Sequence, residues 1–101
     1  MAYEADRIAG FEWDEGNATK SWAKHGVSQE EAEQIFFNEP LLILDDLAHS
    51  GEEWRFQALG RTNSGRLLFA AFTLRMDGTL VRVISVRDMN VKERRVYGKE
   101  T

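Results

Sequence analysis

The chain has no cysteine, a single proline, two histidines and no long apolar run, and each shortage excludes something. Without cysteine there is no disulfide framework, no thiolate metal site and no thiol nucleophile, so nothing here calls for an oxidising compartment. No stretch approaches the roughly 18 apolar residues that would span a bilayer as a helix. The start of the chain, with Glu4 and Asp6 beside Arg7, lacks the charged-then-apolar layout of a signal peptide. The expectation is a cytoplasmic protein with no membrane partner. His25 and His49 do not form a ligand pair at helical spacing, so the carboxylates Asp45, Asp46, Glu52 and Glu53 are read as a solvated loop or a contact surface. No metal and no cofactor is expected. Ser50, Ser64 and Ser85 lack a nucleophile elbow, which leaves serine chemistry unsupported.

What is present is one domain's worth of chain, 101 residues, 43% hydrophobic and 11% aromatic. The net charge of −4 conceals a division: residues 1–53 carry 3 basic and 13 acidic side chains, and residues 54–101 carry 10 and 4. Such asymmetry suggests an anion-binding face in the second half, a basic partner for the first half, or both. The alternative is that opposite charges lie on facing surfaces of a solvated domain.

Along the chain, residues 1–10 show no period and are expected as a loose arm. Phe11 and Trp13 alternate with Glu12 and Asp14 as a short strand. A helix over 15–25 places Ala18, Trp22 and His25 on one face, with Lys20 and Lys24 one turn apart, and stops at Gly26, which tolerates the left-handed conformation. Ser28 with Glu31 makes a capping box for a second short helix. Its stripe is Ala32, Ile35 and Phe36, and it ends before Pro40 because the residue preceding a proline is pushed out of the helical region. Leu41 to Leu44 is a short strand. Trp54, Phe56 and Ala58 alternate with polar residues as a half-buried one. Asn63, Ser64 and Gly65 form a turn, Leu67 to Leu74 is apolar on both faces and belongs at the centre of the sheet, and Asp77 with Gly78 marks a hairpin. The order is one strand, two helices, an antiparallel meander of four strands and a last helix, an α+β domain.

The stretch 80–97, LVRVISVRDMNVKERRVY, is the densest in positive charge. Val81, Val83, Ile84 and Val86 favour a strand. Asn90 and Glu93 form a second capping box, and a short basic helix follows, packed down by Val91 and Tyr97. Strands lie about 4.8 Å apart, so Arg66, Arg82 and Arg87 can converge with Arg94, Arg95 and Tyr97. Converged in this way they would clamp a phosphodiester, stabilise charge building on phosphorus and stack a base. The 2'-hydroxyl of RNA would attack its own phosphate without a metal. Against this stands a structural reading in which Arg82 and Arg87 pair with Glu53, Glu93 or the acidic first half. His25 follows Lys24 at a helix end, where the dipole favours a cation; the alternative is a histidine packed beside Trp22. GRTNSGRL at 60–67 has the glycine spacing of a phosphate loop but no lysine or following helix, and reads as a hairpin turn.

Taken together, FEWD at 11–14, KHGVS at 24–28, HSGEEWRF at 49–56, GRLL at 65–68, and VRVISVRDM with KERRVY inside 81–97 resemble the BrnT family of bacterial toxins over residues 11–97. The resemblance implies a RelE-like fold, a small antiparallel sheet flanked by helices. It implies a metal-independent ribonuclease of a type II toxin-antitoxin pair that stops translation when free. The implied partner is a BrnA-type ribbon-helix-helix antitoxin, through which alone operator DNA would be contacted. By position, it points to His25, Glu53, Arg66, Arg82, Arg87 and Tyr97 as the catalytic set, with Glu93 beside Tyr97 in the last helix, and to Lys24 and Arg55 as RNA contacts, to which the closing helix adds Arg94 and Arg95. In these roles the arginines at 66, 82 and 87 hold phosphate, His25 or Glu53 moves protons, and Tyr97 positions a base or assists a proton transfer. Two departures from the family's pattern stand at Ser21, where an asparagine is usual, and at Val86, where an alanine is usual and a bulkier side chain beside Arg87 would narrow the site. The competing reading is a non-catalytic module of the same fold, kept for antitoxin binding and operon autoregulation.

Overall fold

The expected elements follow one another in the expected order, but one strand joins the sheet from a side the sequence does not announce. A computed structural model describes residues 2–47, 51 and 53–100, without the side chains of residues 15, 17–19 and 21. His49, Ser50 and Glu52, and the side chains of Ala18 and Ser21, thus lie outside the described residues. The elements are β1 (Gly10–Glu12), α1 (Glu15–His25), α2 (Gln29–Gln34), β2 (Leu42–Asp45), β3 (Arg55–Arg61), β4 (Leu67–Arg75), β5 (Leu80–Asp88) and α3 (Val91–Gly98). The sheet runs β1-β5-β4-β3-β2. The meander β2 to β5 is antiparallel and β1 adds to the edge of β5 in parallel, Phe11 beside Val81.

Period-two alternation assigns the faces. Leu68, Ala70, Phe72 and Leu74 of β4 point to one face, where Phe56, Ala58, Val81, Val83 and Val86 join Ala32, Ile35 and Phe36 of the α2 region in the main core. The close approach there requires Gly60: a Cβ added to it would stand 2.8 Å from the Ile35 Cβ. β5 could not serve this face without an irregularity. Ala71 pairs with Ser85 but Phe72 pairs with Val83, so Ile84 is the extra residue of a bulge. It lets Val83 and Val86 both turn inward, and Ser85 and Arg87 both turn to the opposite face.

Among the described residues, α3 covers one end of that opposite face and α1 stands beside Ser85 and Arg87 near its β5 border. At its end, α3 lays Tyr97 and Met89 on Leu59, with Leu42, Leu67 and Phe69 around them, and the Tyr97 hydroxyl donates to the Pro40 carbonyl at 2.6 Å. Both capping boxes form, Ser28 with Glu31 and Asn90 with Glu93, and Gly26 ends α1 with a φ of 63°. Three expectations are corrected. Residues 2–10 are not a loose arm, because Tyr3 and Ile8 have apolar surface to bury: the Tyr3 ring sits 5.7 Å from that of Phe72, and the Ala9 N–H donates to the Thr79 carbonyl. Trp22 is 62% exposed, and the α1 side chains that share a cleft with β5 are Lys20, Lys24 and His25. Val91 is exposed as well, leaving Tyr97 to anchor α3.

Candidate functional site

Arg66 stands at the end of the turn before β4, its N–H donated to the Thr62 hydroxyl. Its side chain shares the core-face phase of Leu68 and reaches back to the junction of α1 and α2. Nε and Nη2 donate to the two Asp88 oxygens at 2.7 and 3.0 Å, Nη1 to the Gly26 carbonyl at 2.9 Å and to Glu31 at 3.2 Å, and Nη2 to the His25 carbonyl at 3.2 Å. Every guanidinium nitrogen is therefore engaged within the protein. Two carbonyls that the end of α1 would leave unsatisfied find their donor here. The hydrogen bond from Arg66 holds the Asp88 carboxyl below its usual range against the opposing pull of burial. Glu31 is likewise held low, first by the Ser28 N–H and then by Arg66, and the Asp88 hydrogen bond keeps Arg66 firmly protonated.

Arg87 lies one residue from Asp88 and on the other face. Its fork is bidentate to Glu93, at 2.7 and 2.9 Å, and its guanidinium carbon sits 4.1 Å over the centroid of Phe69, its neighbour in register. Burial pushes the Glu93 carboxyl up, but hydrogen bonds from Arg87 and the Asn90 N–H more than offset it and leave it low. Beside Arg87 a cleft of about 330 Å³ is lined by Lys20, Lys24 and His25 of α1 and Ser85 of β5. Three cations, an imidazole and a hydroxyl thus share one small space. Lys20 and Lys24, an i, i+4 pair, supply two of the cations from one helix face.

The other expected residues are spread across the sheet. Arg82 shares the Arg87 face but is held by Glu12 and Asp14, each at 2.8 Å, and the Glu12 hydrogen bond is the leading cause of its raised pKa. It stands in one row with Thr73 and Arg55, about 13 Å along the strand from the row of Arg87. Thr73, between the two arginines, is buried, and among the described residues its hydroxyl has no partner. Glu53 pairs with Arg75 at 2.9 Å, at the far end of β4 and about 20 Å along it from Phe69. Tyr97 is 2% exposed and lies under α3, where burial pushes its phenol up. Arg94 donates to the Met89 carbonyl, Arg95 is exposed on α3, and neither lines the cleft. The structure therefore brings Lys24, His25 and Arg87 together, keeps Arg82 and Arg55 on the same sheet at a distance, and leaves Arg66, Glu53 and Tyr97 elsewhere. Val86, expected to narrow the site, faces the core instead. The sequence reading missed Lys20 and Ser85 as cleft residues. The one-turn spacing to Lys24 was a visible signal for the first, whereas the bulge that turns Ser85 outward left none.

A family model described as ribonuclease toxin, BrnT, of type II toxin-antitoxin system matches residues 13–93. The chain belongs to the BrnT family. The crystal structure of the Brucella abortus ribonuclease toxin BrnT superposes with a TM-score of 0.61 at 22% identity, covering 80% of this chain and 96% of that one, a likeness of fold. No curated protein sequence matches. BrnT proteins are ribonuclease toxins of type II toxin-antitoxin systems, so membership brings an antitoxin partner with it. Among the described residues no helix is long and apolar enough to cross a membrane, and no group of three or more His, Asp or Glu is arranged to hold a metal ion.

Proposed function

We propose that this BrnT chain is a cytoplasmic endoribonuclease that cleaves RNA in the cleft between α1 and β5 without a metal, stops translation when free, and is neutralised by a BrnA-type antitoxin. The observation that carries the reading is the meeting of Lys20, Lys24, His25 and Arg87 at one cleft. In this mechanism the 2'-hydroxyl attacks the adjacent phosphorus, the bond to the 5'-oxygen breaks, and a 2',3'-cyclic phosphate and a 5'-hydroxyl are left. Neutral His25 takes the 2'-hydroxyl proton, and the leaving oxygen is protonated by the imidazolium so formed or by water. Lys20, Lys24 and Arg87 stabilise the charge that builds on the phosphoryl oxygens. Arg87 is suited to this because Glu93 and the Phe69 ring fix its plane before any ligand arrives. Arg82 and Arg55 extend the positive track across the sheet, and Arg94 and Arg95 add charge on α3. Proton transfer rests with His25 rather than Glu53, which is paired to Arg75. Arg66 acts through position, holding the carbonyls of His25 and Gly26, and Tyr97 acts through packing.

The ion pairs of Arg66, Arg82 and Arg87 favour a second reading, in which the same fold is kept for antitoxin binding and operon autoregulation with no cleavage. Brief induction of the chain in bacteria, with growth and total-RNA integrity followed beside His25→Gln and Arg87→Ala, separates the two. The ribonuclease reading expects RNA to be cut by the parent and cutting by each folded variant to fall by about a hundredfold. Intact RNA and normal growth with soluble, folded parent protein would install the second reading.

A further inference from the structure

The opposite edge of the sheet is built quite differently from the cleft. β2 is an edge strand. The Asp46 N–H donates to the Arg55 carbonyl, and the antiparallel register then directs the backbone groups of Leu42 and Leu44 toward β3 and those of Ile43 and Asp45 outward. Among the described residues nothing pairs with those outward groups. Apolar space lies on both sides of this edge. On the core side, about 1000 Å³ of open groove runs against Ile43, with Tyr3, Phe36, Phe37 and Leu41 in its lining. On the other side a cleft of about 400 Å³ lies between Leu44, Leu59, Phe69 and Val96. Phe37, 73% exposed, and Leu44, 50% exposed, leave apolar surface uncovered at the strand. Natural sheets blunt such edges, and among the described residues nothing covers this one.

We infer that the outer edge of β2 is the docking site for an extended, basic and apolar segment of the antitoxin, which adds a sixth strand to the sheet. The added strand would bond to Ile43 and Asp45 and send successive apolar side chains alternately into the two clefts. Its charge follows from the rim: Glu39, Asp45 and Glu100 are exposed there, against Arg61 at the first groove and Lys92 at the second. A second copy of this chain fits poorly, because edge-to-edge pairing would bring two exposed Asp45 side chains together. RNA is repelled by the same carboxylates. The inference rests on the family's pairing with an antitoxin and not on cleavage in the α1–β5 cleft.

The test uses the full chain and a short amidated peptide, Lys-Arg-Val-Leu-Val-Lys-Arg, with its lysines and arginines replaced by glutamate as the control. Addition of the basic peptide should shift the Ile43 and Asp45 amide resonances and slow their hydrogen exchange while leaving those of Lys20 and Lys24 in place, and the acidic control should do neither. Asp45→Pro removes one outward donor without touching the β2–β3 ladder, and Asp45→Lys keeps the donor but reverses the charge. Each should weaken the peptide by about tenfold while circular dichroism stays that of the parent. Because the exchange experiment needs no variant, an unfolded proline variant does not protect the idea. No protection of Ile43 and Asp45 by the basic peptide, or equal binding by the folded variants, overturns it. So does concentration-dependent dimerisation of the free chain that Asp45→Pro abolishes, or protection of the same amides by a single-stranded oligoribonucleotide.

Discussion

Arg66 pairs with Asp88, and Arg87 is the residue just before that aspartate in the chain, yet the two arginines belong to different regions. Arg66 closes a junction on the core side of the sheet, where two carboxylates and two helix-terminal carbonyls leave no donor over. Arg87 stands on the other face, gripped from one side by Glu93 and from below by Phe69, with its remaining side turned to a cleft that already holds two lysines. The contrast shows that residue type and proximity do not decide what an arginine does. The donors left over after folding decide it, together with the face on which they emerge.

The difference is open to test, beginning with stability. Arg66→Ala should cost about 2 kcal/mol, a figure already reduced for the partial exposure of the group, and lower the melting temperature by roughly 10 °C. Arg66→Lys should recover little, because an ammonium cannot reproduce the fork. Denaturant titration measures both, and a loss below about 0.5 kcal/mol for Arg66→Ala would place Arg66 outside the structural role and back among the candidate phosphate ligands.

The next effect is the acid limb. The folded-state pKa values of Asp88, Glu31 and Glu93 all lie below their ordinary values of 3.8 for the first and 4.5 for the others. Groups depressed in this way contribute stability that is fully present above those ordinary values and is lost as pH falls past them through the lower folded values. Unfolding free energy should thus be level toward neutrality and decline below about pH 4.5, and Arg66→Ala should flatten that decline more than Arg87→Ala, having two carboxylates to release instead of one. Equal flattening in the two variants would erase the distinction between the junction and the cleft.

The smallest effect sharpens the boundary of the site. Tyr97→Phe removes one hydrogen bond to the Pro40 carbonyl and should cost about 1 kcal/mol with RNA cleavage unchanged. Lost cleavage at unchanged stability would return Tyr97 to the chemistry.

Much of the architecture was legible because its signals are local. Ser28 with Glu31 and Asn90 with Glu93 name helix starts, Gly26 names a stop, and the two-faced apolar run at 67–74 names the central strand. The parallel docking of β1 was not legible, since a three-residue strand carries no mark of its partner. The site was half legible for the same reason. Lys24, His25 and Arg87 sit in recognisable stretches, but because β4 is apolar on both faces, its alternation does not tell which face Arg66 will join, and the bulge at Ile84 shifts the phase of everything after it. Tyr97 reads both as a residue that packs the closing helix down and as a ring that stacks a base, and the choice falls only when α3 is seen lying on Leu59 and Met89.

Glu93 starts α3 by accepting from the Asn90 N–H and, with the same carboxylate, grips both arms of Arg87. One side chain is thus shared by a helix and by the cleft, and neither can be adjusted alone. A substitution there loosens the cap and frees the guanidinium together, so the effects of changes at 87, 90 and 93 will not add. In terms of how the chain can vary, a single step at this carboxylate unsettles helix and cleft at once, whereas retuning the cleft while the helix stays in place takes coordinated steps at several positions.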